Sequence, residues 1–380
     1  MRVSVVISAL VAVLVGFGGS VAVVIAAAEA VQATQAQTAS WIAVLCVSMM
    51  MTTGILSVTY RMPIVTAWST PGAALIGTTS GVSIQMAVGA FLFCALLLMI
   101  TAAFKPLSAL VQRIPSGIAA AILAGVLFPF VLGVAVETVA LPLLGVPLVS
   151  AFLVIRLFSP SWAVLAVVIG GVGLAYALGL AGQTHGLAWS EFVWVAPVFD
   201  PSVLIGLGIP LYLVTMASQN LPGFAVLQAS GYVPPSRPIV AITGAASLLS
   251  APFGGHTTSL AAITAAICTG ADAHPDRNKR WLCGPVYAAG YGVLALGGAS
   301  VVGVIGNVPA ALVAMIAGVA LFGPFVASAR LAFAGQDDPF PAAIAFVVTA
   351  SGVGAFGIGS AFWGLVIGVA AHALNRRARR

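Results

Sequence analysis

The feature that most constrains this chain is a near-unbroken succession of long apolar runs, with no Asp, Glu, Lys or Arg inside any of them away from its ends. A charged side chain held in hydrocarbon is costly, so a run free of charge is one that lipid can surround. Roughly 20 apolar residues span a bilayer as a helix, and many such stretches are present here. Of the 380 residues, 61% are hydrophobic and only 6% charged, whereas a soluble domain carries about a quarter charged residues. Too few charges remain to coat a water-facing surface of this size. Membrane β-barrels read as short alternating segments, which these continuous runs are not. The expected class is therefore an all-α polytopic membrane protein embedded in the lipid bilayer.

The first run, Val3–Ala28, follows Arg2 and resembles a signal peptide, with small residues from Ala26 to Ala30. It exceeds the roughly 7–15 apolar residues of a signal peptide and is read as an uncleaved first helix. Runs and breaks together give about fourteen segments. The first seven are Val3–Ala28, Ser40–Val58, Ile64–Gly77, Ile84–Phe104, Ser116–Val131, Val136–Ile155 and Trp162–Ala181. The next seven are Ser202–Gln219, Ile239–Ala251, Thr257–Cys268, Leu282–Val302, Val308–Phe322, Pro341–Ala355 and Ile358–Leu374. A connection over Gln183–Asp200 separates the sets.

The halves echo one another. Pro115 followed by Ala124-Gly125-Val126-Leu127-Phe128-Pro129-Phe130 parallels Pro309 followed by Ala317-Gly318-Val319-Ala320-Leu321-Phe322-Gly323-Pro324-Phe325. An odd number of spans per repeat sets the two halves in opposite orientations, the inverted-repeat plan of secondary transporters. Residues 1–181 form the first repeat of this 7+7 scheme and residues 201–375 the second. With both termini in the cytoplasm, Arg2, Arg61, Lys105, Arg113, Arg156, Arg237, Arg277, Lys279, Arg280, Arg330, Arg376, Arg377, Arg379 and Arg380 all fall on the cytoplasmic side, as the positive-inside rule requires. The opposite side receives Glu29, Glu137, Glu191 and Asp200. Because the basic residues are scattered singly rather than clustered on one face, the net charge of +6 reports topology and not a nucleic-acid partner.

Two segments are short and broken. One reads Arg61-Met62-Pro63-Ile64-Val65-Thr66-Ala67-Trp68-Ser69-Thr70-Pro71-Gly72, the other Ala251-Pro252-Phe253-Gly254-Gly255-His256-Thr257-Thr258-Ser259. Paired interruptions at corresponding positions point to a transporter's binding site. Unwound backbone must pack in protein or line a cavity, and a half-helix start near the midplane favours an anion. Candidate binding residues are Ser69 and Thr70 in the first segment and Gly255, His256, Thr257 and Thr258 in the second. For the hydroxyls the plain alternative is helix capping. His256 is the only histidine at membrane depth away from a terminus, since His185 and His274 fall in loops and His372 near the end of the last helix. Its ordinary pKa lets it exchange a proton near neutrality, which makes it the candidate proton carrier. Ser218, Gln219 and Asn220, just before Pro222, can hydrogen-bond a ligand or mark a helix end. Gly16, Gly18, Gly19 and Ser20 allow close approach in the first helix.

No cofactor or metal is implied. Cys46, Cys94, Cys268 and Cys283 have no metal-type spacing and read as small buried side chains. No intramembrane carboxylate pair or enzyme-like Ser–His motif supports catalysis, so the chain is read as a transporter and not an enzyme.

At these motifs the chain resembles the benzoate:proton symporter family, BenE. The residues that carry the likeness are Thr66 to Leu75, Phe253-Gly254-Gly255-His256, Leu260 to Cys268, and the Ala273-His274-Pro275-Asp276 loop running into Arg280-Trp281. That family looks similar in architecture to uracil-type permeases and sulfate-type anion transporters. The resemblance implies a core domain of segments one to four and eight to eleven, which moves against a gate of segments five to seven and twelve to fourteen. Where uracil-type permeases carry acidic residues in segments eight and ten, this chain has Gln219 and His256, which argues against nucleobases and suits a carboxylate. The implied activity is import of benzoate or a related aromatic carboxylate with a proton, by alternating access across a bacterial inner membrane. The carboxylate would face the Ser69/Thr70 and Thr257/Thr258 ends, and His256 would carry the proton. A homodimer is compatible with this plan, and exchange of other anions or nucleobases on the same fold is the alternative.

Overall fold

A computed structural model describes residues 2–104, 115–158, 160–182, 188–334, 338–356 and 358–378. Lys105, Arg113, Gln183, His185, Arg379 and Arg380 lie outside the described residues. Among the described residues, seven helices are long and apolar enough to cross a membrane. Shorter apolar helices and two three-residue strands complete a mostly helical membrane protein.

Helices α1 (Val3–Gly18) and α2 (Val21–Ala30) together make the first long apolar stretch, interrupted at Gly19 and Ser20. Helix α3 (Gln35–Tyr60) starts at a capping box, in which Thr34 and Gln37 each satisfy the other's backbone N–H, and stops where Arg61 turns left-handed. Strand β1 (Thr66–Trp68) and the short α4 (Thr70–Gly77) follow, then α5 (Ile84–Ala103). Helix α6 (Ser116–Ala140) runs on through Pro129, past the expected break at Val131, and α7 (Pro142–Phe158) and α8 (Pro160–Ala177) complete the first half. An internal proline is tolerated at membrane depth where neighbouring helices, side chains or local backbone adjustment re-satisfy the freed carbonyl.

The second half opens with α9 (Pro201–Gln228), which contains two π-turns, Leu204–Gly208 and Met216–Asn220. Next come α10 (Ser236–Ser250), β2 (Thr258–Leu260), α11 (Ile263–Thr269), α12 (Cys283–Gly306), α13 (Ala310–Phe333), α14 (Phe340–Ala350) and α15 (Ser360–Ala378). Helix α13 also carries an internal proline, Pro324.

Packing sorts these elements into two bundles. In one, α3 lies along α12, α5 along α10, and α1 against both α11 and α12. In the other, α6 packs on α13 and α14, α14 on α15, and α7 on α8. The α6–α13 contact is close: a Cβ on Gly318 would collide with the Phe130 carbonyl oxygen. Nearby, Phe128 and Phe325 meet with ring centroids 6.0 Å apart.

Between the halves, residues 188–200 run extended across the first bundle. Backbone N–H groups of Ser190, Val195 and Val198 donate to the carbonyls of Leu296, Pro252 and Gln85, and the Val193 N–H donates to the Ser40 hydroxyl at 2.9 Å. The strap ends at Asp200, whose carboxylate caps α9 by accepting from the Ser202 hydroxyl and from the N–H groups of Ser202 and Val203. Those bonds, the Ser202 hydroxyl foremost, hold its pKa below the usual carboxylate value.

At the far end of the first bundle, arginines close helix ends. Arg237 donates to the carbonyls of Ala102 and Ala103, both at 3.0 Å. Arg280 donates to those of Thr269 at 2.6 Å and His274 at 2.7 Å, and Arg61 lies 4.6 Å over the Trp281 ring. Cations at helix C-termini satisfy orphan carbonyls and oppose the negative dipole end.

Candidate functional site

The two broken segments meet. Strands β1 and β2 pair antiparallel, with Thr66 opposite Leu260, Ala67 opposite Ser259 and Trp68 opposite Thr258. Three residues of strand cannot satisfy their own backbone, so side chains finish the ladder. Thr66 is held by Thr53, whose hydroxyl accepts its N–H at 2.9 Å, and by Tyr287, whose hydroxyl donates to its carbonyl at 3.0 Å. On β2, the Thr258 N–H donates to Ser247 at 2.8 Å and the Leu260 N–H to the Asn220 side-chain oxygen at 3.0 Å. The π-turn Met216–Asn220 is what brings Asn220 to that edge. Such turns often mark functional positions.

His256 is fully buried in the lead-in to β2. Trp41 Nε1–H donates to its Nδ1 at 3.0 Å. An indole nitrogen can only donate, so Nδ1 is the acceptor and Nε2 carries the hydrogen. That Nε2–H donates to the Ser69 carbonyl at 2.9 Å. Ser69 in turn caps α4 by accepting the Gly72 N–H at 3.1 Å, with Pro71 in the first turn. His256 thus fastens the second broken segment to the cap of the first.

Between the two bundles lies a cavity of about 1040 Å³. The first bundle contributes Ser20, Trp68, Thr70, Ser218, Gln219, Thr264 and Tyr291 to its wall, and the second contributes Ala120, Leu123, Phe152 and Val319. Trp68 is fixed by its Nε1–H, which donates to the Ser20 hydroxyl at 2.8 Å across the α1–α2 break. Thr70, Ser218 and Gln219 take no side-chain hydrogen bond from any described residue, so their hydroxyls and amide are free for a ligand. Arg156, in the last turn of α7, is the one charged residue among the described residues of the wall.

Of the eight candidate residues, Thr70 and Gln219 line the cavity. Ser69, Asn220, Gly255, His256, Thr257 and Thr258 lie behind that wall, where the hydrogen bonds of the strands and caps engage them. Thr257 and Thr258 do not begin the second half-helix. They lead into and form β2, and α11 starts later, at Ile263. The run of Thr257, Thr258 and Ser259 is strand-forming once β1 is there to pair with it. The spacing from Trp68 to Thr70, carried from Leu260, indicates Ala262, which is on the wall with Thr264 two residues further on. Tyr291 and Arg156 gave no local signal of this kind. The four cysteines are buried and unpaired.

The hydroxyl of Thr258 is buried with no hydrogen-bond partner. Thr258→Val, which keeps shape and strand propensity while removing that oxygen, is expected to leave stability unchanged or raise it by about 1 kcal/mol. Thermal unfolding of the purified protein checks this.

An apolar cavity with a few free polar groups, held between two helical bundles at the junction of two broken segments, defines a membrane transporter. Its fold is that of solved anion transporters: the transmembrane domain of a cyanobacterium bicarbonate transporter, BicA, matches with a TM-score of 0.61 at 15% identity over 97% of this chain and 98% of that one. The chain belongs to the BenE family, benzoate membrane transport protein, whose family model matches residues 1–374. A relative from Escherichia coli (strain K12), inner membrane protein YdcO, is 36% identical over 94% of this chain and 92% of its own length. The benzoate membrane transport protein of Acinetobacter baylyi is 35% identical over 96% of this chain and 93% of its own.

Proposed function

We propose that this protein imports benzoate or a closely related aromatic carboxylate together with a proton, by alternating access across a bacterial inner membrane with both termini cytoplasmic. The observation that carries this reading is the cavity itself: a mostly apolar wall for a ring, three unpartnered polar side chains at Thr70, Ser218 and Gln219, and no carboxylate among its described lining residues. The 35% identity to a benzoate membrane transport protein supports the substrate class. In the same proposal the first bundle, with its joined strands, is the core and the second is the gate. The antiparallel β1–β2 pair is what halves of opposite orientation in a 7+7 inverted repeat would produce.

For the proton, the sequence reading assigns His256. The hydrogen-bond pattern supports a positioning role, because a second proton on Nδ1 would set two N–H donors against each other at the Trp41 contact. Uptake of radiolabelled benzoate into proteoliposomes, with and without an inward proton gradient and with empty-liposome flux subtracted, tests the proposal. Gradient-stimulated, protein-dependent accumulation supports it. Benzoate flux equal to empty liposomes, from folded protein, overturns it.

Arg156 supplies a positive charge at the basic-residue end of the cavity wall. Arg156→Gln is expected to slow benzoate counterflow several-fold, and the loss should shrink as salt rises, because an exposed cation steers anions through a field that salt screens. Initial counterflow rates at low and high ionic strength check it.

A further inference from the structure

Resting on the aromatic-acid reading above, we infer that the cavity binds the substrate as the neutral carboxylic acid, paired with the Gln219 amide, so that the coupled proton crosses on the substrate and not on a protein side chain.

The first support is the titratable inventory of the cavity. Arg156 from α7 and Tyr291 from α12 are the titratable groups that face it among the described residues. Elements α1, β1, α4, α6, α8, α9, α11, α13 and α15 contribute no Asp, Glu, His, Lys or Cys to the wall. Arginine does not deprotonate in proteins and tyrosine ordinarily titrates near 10, so neither exchanges protons with the bulk around neutrality. His256, the remaining candidate at depth, is sealed behind the wall with both ring nitrogens engaged.

The second support is the donor and acceptor pattern. A primary amide offers one acceptor and two donors, the complement of a protonated carboxyl group, which donates through its O–H and accepts at its C=O. Gln219 can form both bonds at once with the acid. Against a carboxylate, its oxygen would face a second acceptor. The Thr70 and Ser218 hydroxyls rotate to donate or accept and so tolerate either form.

The anion-favouring alternative is weak at the half-helix starts. In α4 the first turn has little left to offer: Gly72 N–H goes to the Ser69 hydroxyl, Ala73 N–H to the Ser69 carbonyl, and Pro71 has no N–H, which leaves the single N–H of Thr70. Helix α11 has only 7 residues. Gln219 itself is partly buried among apolar residues, where an uncompensated carboxylate is costly.

In this scheme the benzoate anion takes a proton from water on the side of entry and binds as the acid. After release it returns that proton to water on the other side, so one proton and one anion cross with no net charge. Because an aromatic acid titrates at roughly 4, apparent affinity for total benzoate should fall about tenfold for each pH unit above that value.

Competition against radiolabelled benzoate, with the purified full chain in detergent at pH 6 and pH 7.5, tests the inference. Benzamide is a permanently neutral analogue of the acid, and benzenesulfonate a permanent anion. Benzamide is expected to displace benzoate at a concentration at least tenfold below that required of benzenesulfonate, with its own inhibition constant unchanged between the two pH values. Displacement by benzenesulfonate but not by benzamide overturns the inference while leaving benzoate transport standing, as does failure of both to compete. No benzoate binding at either pH overturns the aromatic-acid reading itself.

Discussion

His256→Ala is expected to unfold at markedly lower temperature than the parent protein and to transport little. Removing the ring leaves the Trp41 N–H without a partner in a fully buried site and takes one of two donors from the Ser69 carbonyl, which keeps the Ala73 N–H. The orphaned indole N–H costs about 1–3 kcal/mol and the lost bond to the Ser69 carbonyl about 1 kcal/mol, so a combined loss of roughly 2–4 kcal/mol follows before the vacated volume is counted. The second variant, His256→Gln, retains an N–H able to reach the Ser69 carbonyl and should recover part of that loss. Its residual uptake separates the two roles for the histidine. If His256 positions the α4 cap, His256→Gln transports more slowly but still responds to an inward proton gradient. Uptake by His256→Gln that no longer responds to the gradient would make the histidine the proton carrier. Melting curves and gradient-dependent uptake, measured on the same preparations, give both answers.

Gln219→Leu is expected to lose at least tenfold in benzoate uptake at subsaturating substrate while melting as the parent does. The amide faces the cavity and takes no hydrogen bond from the described residues around it, so folding forfeits nothing when leucine, of similar size, replaces it. Binding forfeits the hydrogen bonds to the carboxyl group, each worth about 1 kcal/mol, and tenfold corresponds to about 1.4 kcal/mol. Normal uptake by Gln219→Leu would remove Gln219 from the site. Concentration dependence of the initial rate is the measurement.

Much of this molecule is legible in its sequence because a bilayer permits few solutions. The apolar runs announce the spans, and the two interrupted segments announce a junction, because exposed backbone at that depth has to be sheltered. The arginines mark one end, and Arg237 and Arg280 are found there on helix-end carbonyls. What the sequence conceals is which face of each broken segment meets the cavity. Gly255, His256, Thr257 and Thr258 have the chemistry of a site, yet pairing with β1 consumes Thr258 as strand and turns His256 inward. Strand registry between residues so distant leaves no local periodicity to read. Internal prolines mislead in a similar way: Pro129 looks like a terminus, and α6 runs through it to Ala140. Thr70 and Gln219 were identifiable because each lies just before a proline, Pro71 directly after Thr70 and Pro222 three residues after Gln219. Arg156 reaches the cavity only because α7 leans against its wall, which nothing in the neighbouring residues foretells.

The pairing of β1 with β2 also bears on biogenesis. Ala67 and its partner Ser259 are 192 positions apart in the chain, so the first strand enters the bilayer long before its partner has been synthesised. For that interval residues 66–68 rely on what is already there: the Thr53 hydroxyl accepts the Thr66 N–H, and Thr52 and Thr53 both hydrogen-bond the Thr66 hydroxyl from the preceding helix. Those two threonines serve as a temporary splint for the nascent chain. The first half alone accordingly leaves the edge of β1 open until ribosomal elongation delivers β2.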